Sequence, residues 1–212
     1  MALNFTNTTI AIQAWRIVGL ALLSCIGLAN AAQAANPADV ARLLETKQCR
    51  RCNLSGVSLR GVDLSGADLQ DANLTEVDFR NVNLSNANLR GVNFHNAELR
   101  RANLTQADLR GSLLVGANLT NADLSYAQLV QASLVNVNLR EARGLQANFN
   151  GADLRSANLT DANLQGAFFN EANLSNANVR DANLSQAFFR RALVTNVNLG
   201  QANLRGAIGL GR

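Results

Sequence analysis

The chain has 212 residues, 48% of them apolar, so it is long enough to bury a substantial core. Only 5% are aromatic and one is proline, a skew that points to internal repetition rather than an average globular mixture. The formal charge of +4 is mild; it excludes a strongly acidic chain and by itself neither requires nor forbids a nucleic-acid partner.

The first element in chain order is a targeting segment. Residues 17–29, IVGLALLSCIGLA, form an uncharged apolar run preceded by Arg16 and followed by small residues. That layout is a secretory signal, and the run is too short to span a bilayer comfortably. Ala32-Gln33-Ala34 is the best small-x-small cleavage site, so residues 1–34 are expected to be removed and the mature chain to begin at Ala35. Ala29-Asn30-Ala31 is a second site, and an uncleaved anchor or lipid attachment at Cys25 are the alternatives. The expected product is exported, without stable membrane insertion.

Residues 35–51 read as a capping helix and the segment that leads into the remainder. Asn36 can cap a helix, Pro37 suits its first turn, and Asp39 favours the positive end of its dipole. Val40, Leu43 and Leu44 make an apolar stripe, which predicts a helical plug over residues 37–46. Cys49 and Cys52 then spell CRRC. In an exported chain a structural disulfide leads, provided that the chain turns there. Two buried thiols, or a redox-active pair with Arg50 and Arg51 stabilising a thiolate, are the alternatives. Two thiols alone do not make a metal site.

From Cys52 onward the pattern is A-(N/D)-L-x-x without a break. Taking the large residue as the centre, 32 centres run from Leu54 to Gly209, of which 23 are Leu and five Phe. Two places earlier, 23 residues are Ala and seven are Val. In a strand an odd spacing sends successive leucines to opposite faces. On an α-helix five residues advance the direction by about 140°, which spreads the leucines around the cylinder. Burying every centre requires the backbone to bend toward a common axis at each pentad, which is a solenoid. Phe149, Phe169 and Phe189 recur every 20 residues, and Arg60, Arg80, Arg100, Arg140 and Arg180 lie on one 20-residue column beside Glu141, Asp161 and Asp181. These outliers favour four pentads per coil, although Phe79 and Phe94 are 15 apart. Asn or Asp precedes the centre in 22 pentads, where its side chain can bond the backbone of a repeated turn.

These pentads resemble the pentapeptide-repeat family over residues 52–209. The resemblance implies an all-β fold, a right-handed quadrilateral parallel β-helix of about eight coils over residues 52–212, with the short N-terminal helix capping it. The stretch LLETKQCRRCNLSG after a signal is similar to exported cyanobacterial members assigned to the periplasm or thylakoid lumen. Some relatives protect DNA gyrase or mimic duplex DNA, a role that needs an acidic cytoplasmic surface. The mildly basic chain, expected to be exported, runs against that alternative, and no nucleic-acid partner is expected.

The remaining features concern the surface. Arg60, Arg80 and Arg100, with neighbouring Arg101, form a positive strip without matching acids in the adjacent column, suited to an acidic partner or to headgroups. Phe168, Phe188 and Ile208 share a nominally outward column, and Leu193 is outward nearby, so the last two coils are expected to self-associate, as a homodimer for example. His95, the only histidine, reads as a solvated residue. Gly144 removes a centre, and a local bulge is expected to turn Leu145 inward in its place. No catalytic, cofactor-binding or metal residue is expected. The chain reads as a non-enzymatic exported scaffold or protein-interaction module, with a thiol-redox role for CRRC as the alternative.

Overall fold

The computed structural model describes residues 34–210. The expected signal run and Cys25 lie outside them. Within them the five-residue period is resolved into three extended residues and a two-residue corner. The carbonyl of each centre accepts the N–H three residues on, as from Ala67 to Leu64 at 3.0 Å and from Ala122 to Leu119 at 2.9 Å. The residue just before that donor has positive φ, 58° at Asp71, 59° at Asn121 and 69° at Gly56. Such a corner forbids branching at Cβ, and among the described residues no Val, Ile or Thr occupies a positive-φ position. The bulkiest residue held there is Tyr126, at φ 62°.

Between corners the backbone pairs with the next coil. The residue before each centre makes a single parallel bridge to the residue 20 positions later, and Gln48 with Asp68, Asn53 with Asn73, Ser58 with Asp78, and Asp63 with Asn83 begin four columns. Leu54 donates to the Asn73 carbonyl at 2.9 Å, and Asn73 donates to the Cys52 carbonyl at 2.8 Å. Four pentads therefore complete one turn of the solenoid. Each bridge is one residue wide, because the corners interrupt pairing before a longer strand can form.

The same bridging residues hold the corners. Asp63, Asn73 and Asn183 accept from the backbone N–H two residues on at 3.1–3.2 Å. At several positions where the column continues with Asn, its amide donates one coil back: Asn73 to Asn53 at 3.1 Å, Asn103 to Asn83 at 3.1 Å, Asn183 to Asn163 at 3.0 Å. The polar ladder is thus turn chemistry joined into rungs between coils.

The centres and the residues two places before them fill the interior. Most are fully buried, including all five centre phenylalanines. Phe149, Phe169 and Phe189 stack in one column, with centroids 5.0 and 5.2 Å apart and planes within 8°. Phe79 and Phe94 sit in neighbouring columns and meet edge to face at 6.2 Å, which accounts for their 15-residue spacing. Ser112, at an alanine position, is fully buried and donates to the Leu109 carbonyl at 2.7 Å.

Gly144 departs from expectation. Its backbone keeps the register, donating to Asn163 at 2.8 Å and accepting from Ala147 at 3.1 Å. No bulge forms, and Leu145 stays on the corner, half-buried. The missing side chain is replaced from the next coil: a Cβ at Gly144 would lie 2.7 Å from Leu164 Cδ2.

Helix α1 spans Pro37–Thr46 at the N-terminal end. Asn36 accepts from the Ala38 N–H at 3.0 Å, and Val40 and Leu43 are buried in the same core as the first coil. Lys47 ends the helix at φ 55° with its N–H on the Leu43 carbonyl. At the other end lies a 3₁₀ turn, Leu199–Gln201. There the column that runs through Asn158 and Asn178 stops, and Asp181 donates instead to the Gln201 carbonyl at 2.7 Å. Val194, Leu199, Leu204 and Leu210 of this last coil are only partly buried.

Candidate functional site

The arginine strip differs from its sequence reading. The adjacent corner column does not supply acids in the lower coils, but the residue two places before Arg80 and before Arg100 does, and Arg60 reaches the first of these from the coil below. A corner brings these two positions side by side. Arg80 donates through Nε and Nη2 to the two Asp78 oxygens at 2.7 and 2.5 Å, Arg60 Nε lies 4.0 Å from Asp78, and Arg100 Nε lies 3.0 Å from Glu98. The same clamp joins Arg110 to Asp108 and Arg155 to Asp153. The hydrogen bond from each arginine holds its aspartate below the ordinary carboxylate range, against the opposing effect of burial. Lys47, bonded to Asp63 at 3.0 Å, lowers that carboxyl to about 2. Arg101 is exposed and forms no ion pair among the described residues. The strip's four cations thus share two carboxylates, Asp78 and Glu98, with Arg101 the one that forms no ion pair among the described residues. His95 is exposed, as expected.

Phe168 and Phe188 are half-buried and stack on each other at 5.0 Å, their planes 8° apart. Leu193 and Ile208 are 56% and 59% exposed. The three column members are thus unlike: two rings shelter one another, and Ile208 at the end of the column is left in solvent.

Cys49 and Cys52 lie where α1 meets the first coil, their sulfurs 2.03 Å apart, and both are fully buried. Helix α1 contacts both sulfurs. Arg42 Nη2 donates to Cys52 Sγ at 2.8 Å and to Asp39 Oδ1 at 2.7 Å. The Asp39 carbonyl oxygen is 3.2 Å from Cys49 Sγ, and Asp39 Oδ2 accepts from the Asn53 N–H at 2.9 Å. In the sequence, only the redox alternative set the charges of Arg50 and Arg51 beside these sulfurs. The structure instead brings Arg42, ten residues before Cys52, and aims Arg50 and Arg51 toward Asp68 and Asp71. A bridge with a sequence separation of 3 closes so short a loop that its entropic contribution is only roughly 2 kcal/mol.

The family model "Pentapeptide repeats" matches the chain in eight copies, over residues 48–86, 67–106, 78–114, 102–141, 146–176 and 172–208. The chain belongs to the pentapeptide repeat family. Members of this family fold as right-handed quadrilateral β-helices, the architecture that the 20-residue bridges trace. Among solved structures, HetL from the cyanobacterium Nostoc sp. strain PCC 7120, a pentapeptide repeat protein involved in heterocyst differentiation regulation, is 30% identical, with 72% of this chain and 87% of HetL covered and a TM-score of 0.46. A pentapeptide repeat protein of the Arabidopsis thaliana thylakoid lumen is 36% identical, over 49% of this chain and 68% of that one, with a TM-score of 0.35. QnrB1, a plasmid-mediated fluoroquinolone resistance protein, is 17% identical over 77% and 89% of the two chains, with a TM-score of 0.41. No curated protein matches. Among the described residues no helix is long and apolar enough to cross a membrane, and no cluster of His, Cys, Asp and Glu could hold a metal ion.

Proposed function

We propose that this pentapeptide repeat protein is a non-enzymatic, exported interaction scaffold whose C-terminal coils are its contact surface. Residues 1–34 act as a signal removed after Ala34, residues 35–51 cap and lead into the rod, and residues 52–212 form it, in about eight coils. The observation that carries the reading is the contrast between the two ends. At the N-terminal end α1 buries Val40 and Leu43, whereas Leu193 and Ile208 at the other end are mostly exposed beside a half-open interior. An apolar end of that kind favours a partner over water. A second copy joined as a homodimer is the simplest occupant, and Phe168 and Phe188 lie on its flank. Arg60, Arg80, Arg100 and Arg101 are the second candidate surface, with only Arg101 free of an acid among the described residues.

Export to a periplasm or thylakoid lumen is supported by the signal-like residues 17–29 and by the likeness to a lumenal relative. The test is sedimentation of the mature chain beside a Leu193→Asp/Ile208→Asp variant, with pull-downs from envelope and lumen fractions. The proposal expects the wild type to associate or capture a partner and the variant to lose it. A monomer at high concentration whose captured proteins are unchanged by the variant overturns the C-terminal assignment. A cytosolic, uncleaved product overturns the exported role.

A further inference from the structure

We propose that Cys49 and Cys52 are a reducible pair with fixed roles, in which Arg42 holds Cys52 as the released thiolate and Cys49 is the sulfur attacked. The inference stands on the sulfurs' partners and is independent of the C-terminal contact surface. A disulfide sulfur carries no proton and is a poor hydrogen-bond acceptor, so a purely structural bridge gains little from polar neighbours. In this protein each sulfur has one suited to the dithiol state. Cys52 Sγ faces the Arg42 guanidinium at 2.8 Å, a partner for a thiolate, and Cys49 Sγ faces the Asp39 carbonyl oxygen at 3.2 Å, an acceptor for a thiol. The other charges near the pair are Asp39 itself, which shares Arg42, and Arg50 and Arg51, which lie 3.7 and 4.0 Å from Asp68 and Asp71. The one cation that touches a sulfur is Arg42, on Cys52, while the Asp39 carboxylate is engaged by Arg42 and by the Asn53 N–H, so the contact favours the anion at Cys52 rather than at Cys49.

The exchange partner is a dithiol reductant. Its thiolate attacks Cys49 Sγ, the Cys49–Cys52 bond breaks, and Cys52 leaves with the electron pair. The second thiol of the reductant, as thiolate, then attacks the reductant's own sulfur in the mixed disulfide, which releases Cys49. Cys49 takes up a proton and donates it toward the Asp39 carbonyl. The protein disulfide is reduced by two electrons and the dithiol is oxidised to a disulfide. Because α1 touches both buried sulfurs, the helix must lift for attack, and its return brings Arg42 back to Cys52. Thiol chemistry is thereby tied to the element at the N-terminal end of the rod.

The test uses the mature chain, wild type and Arg42→Gln, with Arg42→Lys as the conservative control and circular dichroism confirming that each is folded. Reduced protein is titrated by ultraviolet thiolate absorbance, and the pair is equilibrated against mixtures of reduced and oxidised dithiothreitol. The wild type is expected to show a Cys52 pKa below the ordinary thiol value of about 8.5. Arg42→Gln should move it up by about one pH unit or more and, at a pH above both values, shift the equilibrium about tenfold toward the disulfide. Arg42→Lys should recover most of both effects, and limited alkylation should label Cys52 before Cys49. An unchanged titration and equilibrium in Arg42→Gln, or labelling of Cys49 first, overturns the assignment. So does reduction that occurs only with global unfolding. The absence of any reductant-dependent mass shift in the wild type removes the bridge itself and leaves the contact surface untouched.

Discussion

Replacing Gly144 with alanine moves the chain toward its own consensus, since a side chain occupies nearly every other centre. The structure nonetheless requires a loss of stability. At a glycine free to adopt ordinary backbone angles, Gly→Ala stabilises by about 0.4–1 kcal/mol through the unfolded chain. Gly144 is not among the positive-φ glycines, so this gain applies. Against it, the new Cβ meets Leu164 Cδ2 at 2.7 Å and Ala147 Cβ at 3.5 Å. Extra volume in a packed core costs about 1–3 kcal/mol, so the net effect is a loss of about 1–2 kcal/mol, and Gly144→Leu loses more. The assay is guanidinium unfolding at an unchanged slope, with Leu164→Ala as the second arm of a double-mutant cycle. Leu164→Ala alone should cost about 2–5 kcal/mol, but less in the Gly144→Leu background, where the leucine refills the space. A neutral or stabilising Gly144→Ala, or strictly additive arms, would show that Leu164 does not occupy the missing centre.

Removing the helix cap, Asn36→Ala, should destabilise by about 1 kcal/mol in the same unfolding assay. Leu43→Ala, at a fully buried side chain of α1, should cost about 2–5 kcal/mol and make the remaining rod more prone to concentration-dependent association. Reduction of the disulfide should lower stability by no more than about 2 kcal/mol, because the loop is so short. Acid behaviour follows from the clamped carboxylates. Their folded pKa values are depressed, so their stabilisation is complete above the unfolded carboxylate value of about 3.9 and is lost as pH falls through the folded values. For Asp63 that loss extends down to about 2. Melting temperature should therefore fall between about pH 4 and 2, and Asp78→Asn or Asp63→Asn should flatten the fall; a parent profile with no such drop would refute the clamps.

The solenoid was legible because one chemistry repeats: Leu centres, small partners and Asn or Asp at each bridge admit no other arrangement that keeps every leucine dry. Helix α1 was legible for a different reason, since Asn36, Pro37 and Asp39 are local signals whose meaning does not depend on distant packing. The arginine strip was misread because acids were sought along the corner columns. A corner in which the second residue has positive φ folds the chain back on itself, so the neighbour that matters is Asp78 for Arg80, two residues away rather than twenty. Leu145 was misread because nothing local reveals that Leu164 leans into the space above Gly144.

Arg42 shows the same limit at the cysteines. Its proximity to Cys52 arises only when α1 closes over the first coil, a contact across ten residues that no spacing rule encodes. The two features that distinguish this rod from its repeat, the sulfurs under α1 and the apolar residues of the last coil, therefore both lie where stacking ends. Interior coils satisfy their bridging backbone groups and their centres with the coil above and below and their corners within the coil, which leaves their surfaces with turn chemistry and little freedom to vary. The last described coil leaves Val194, Leu199 and Leu204 only partly buried, and in the scaffold role we propose a partner covers them, as α1 packs on the first coil. Function in such a molecule is expected to concentrate at the ends of the stack, and substitutions at Leu193 and Ile208 should alter binding while equivalent outward changes in the middle coils do not.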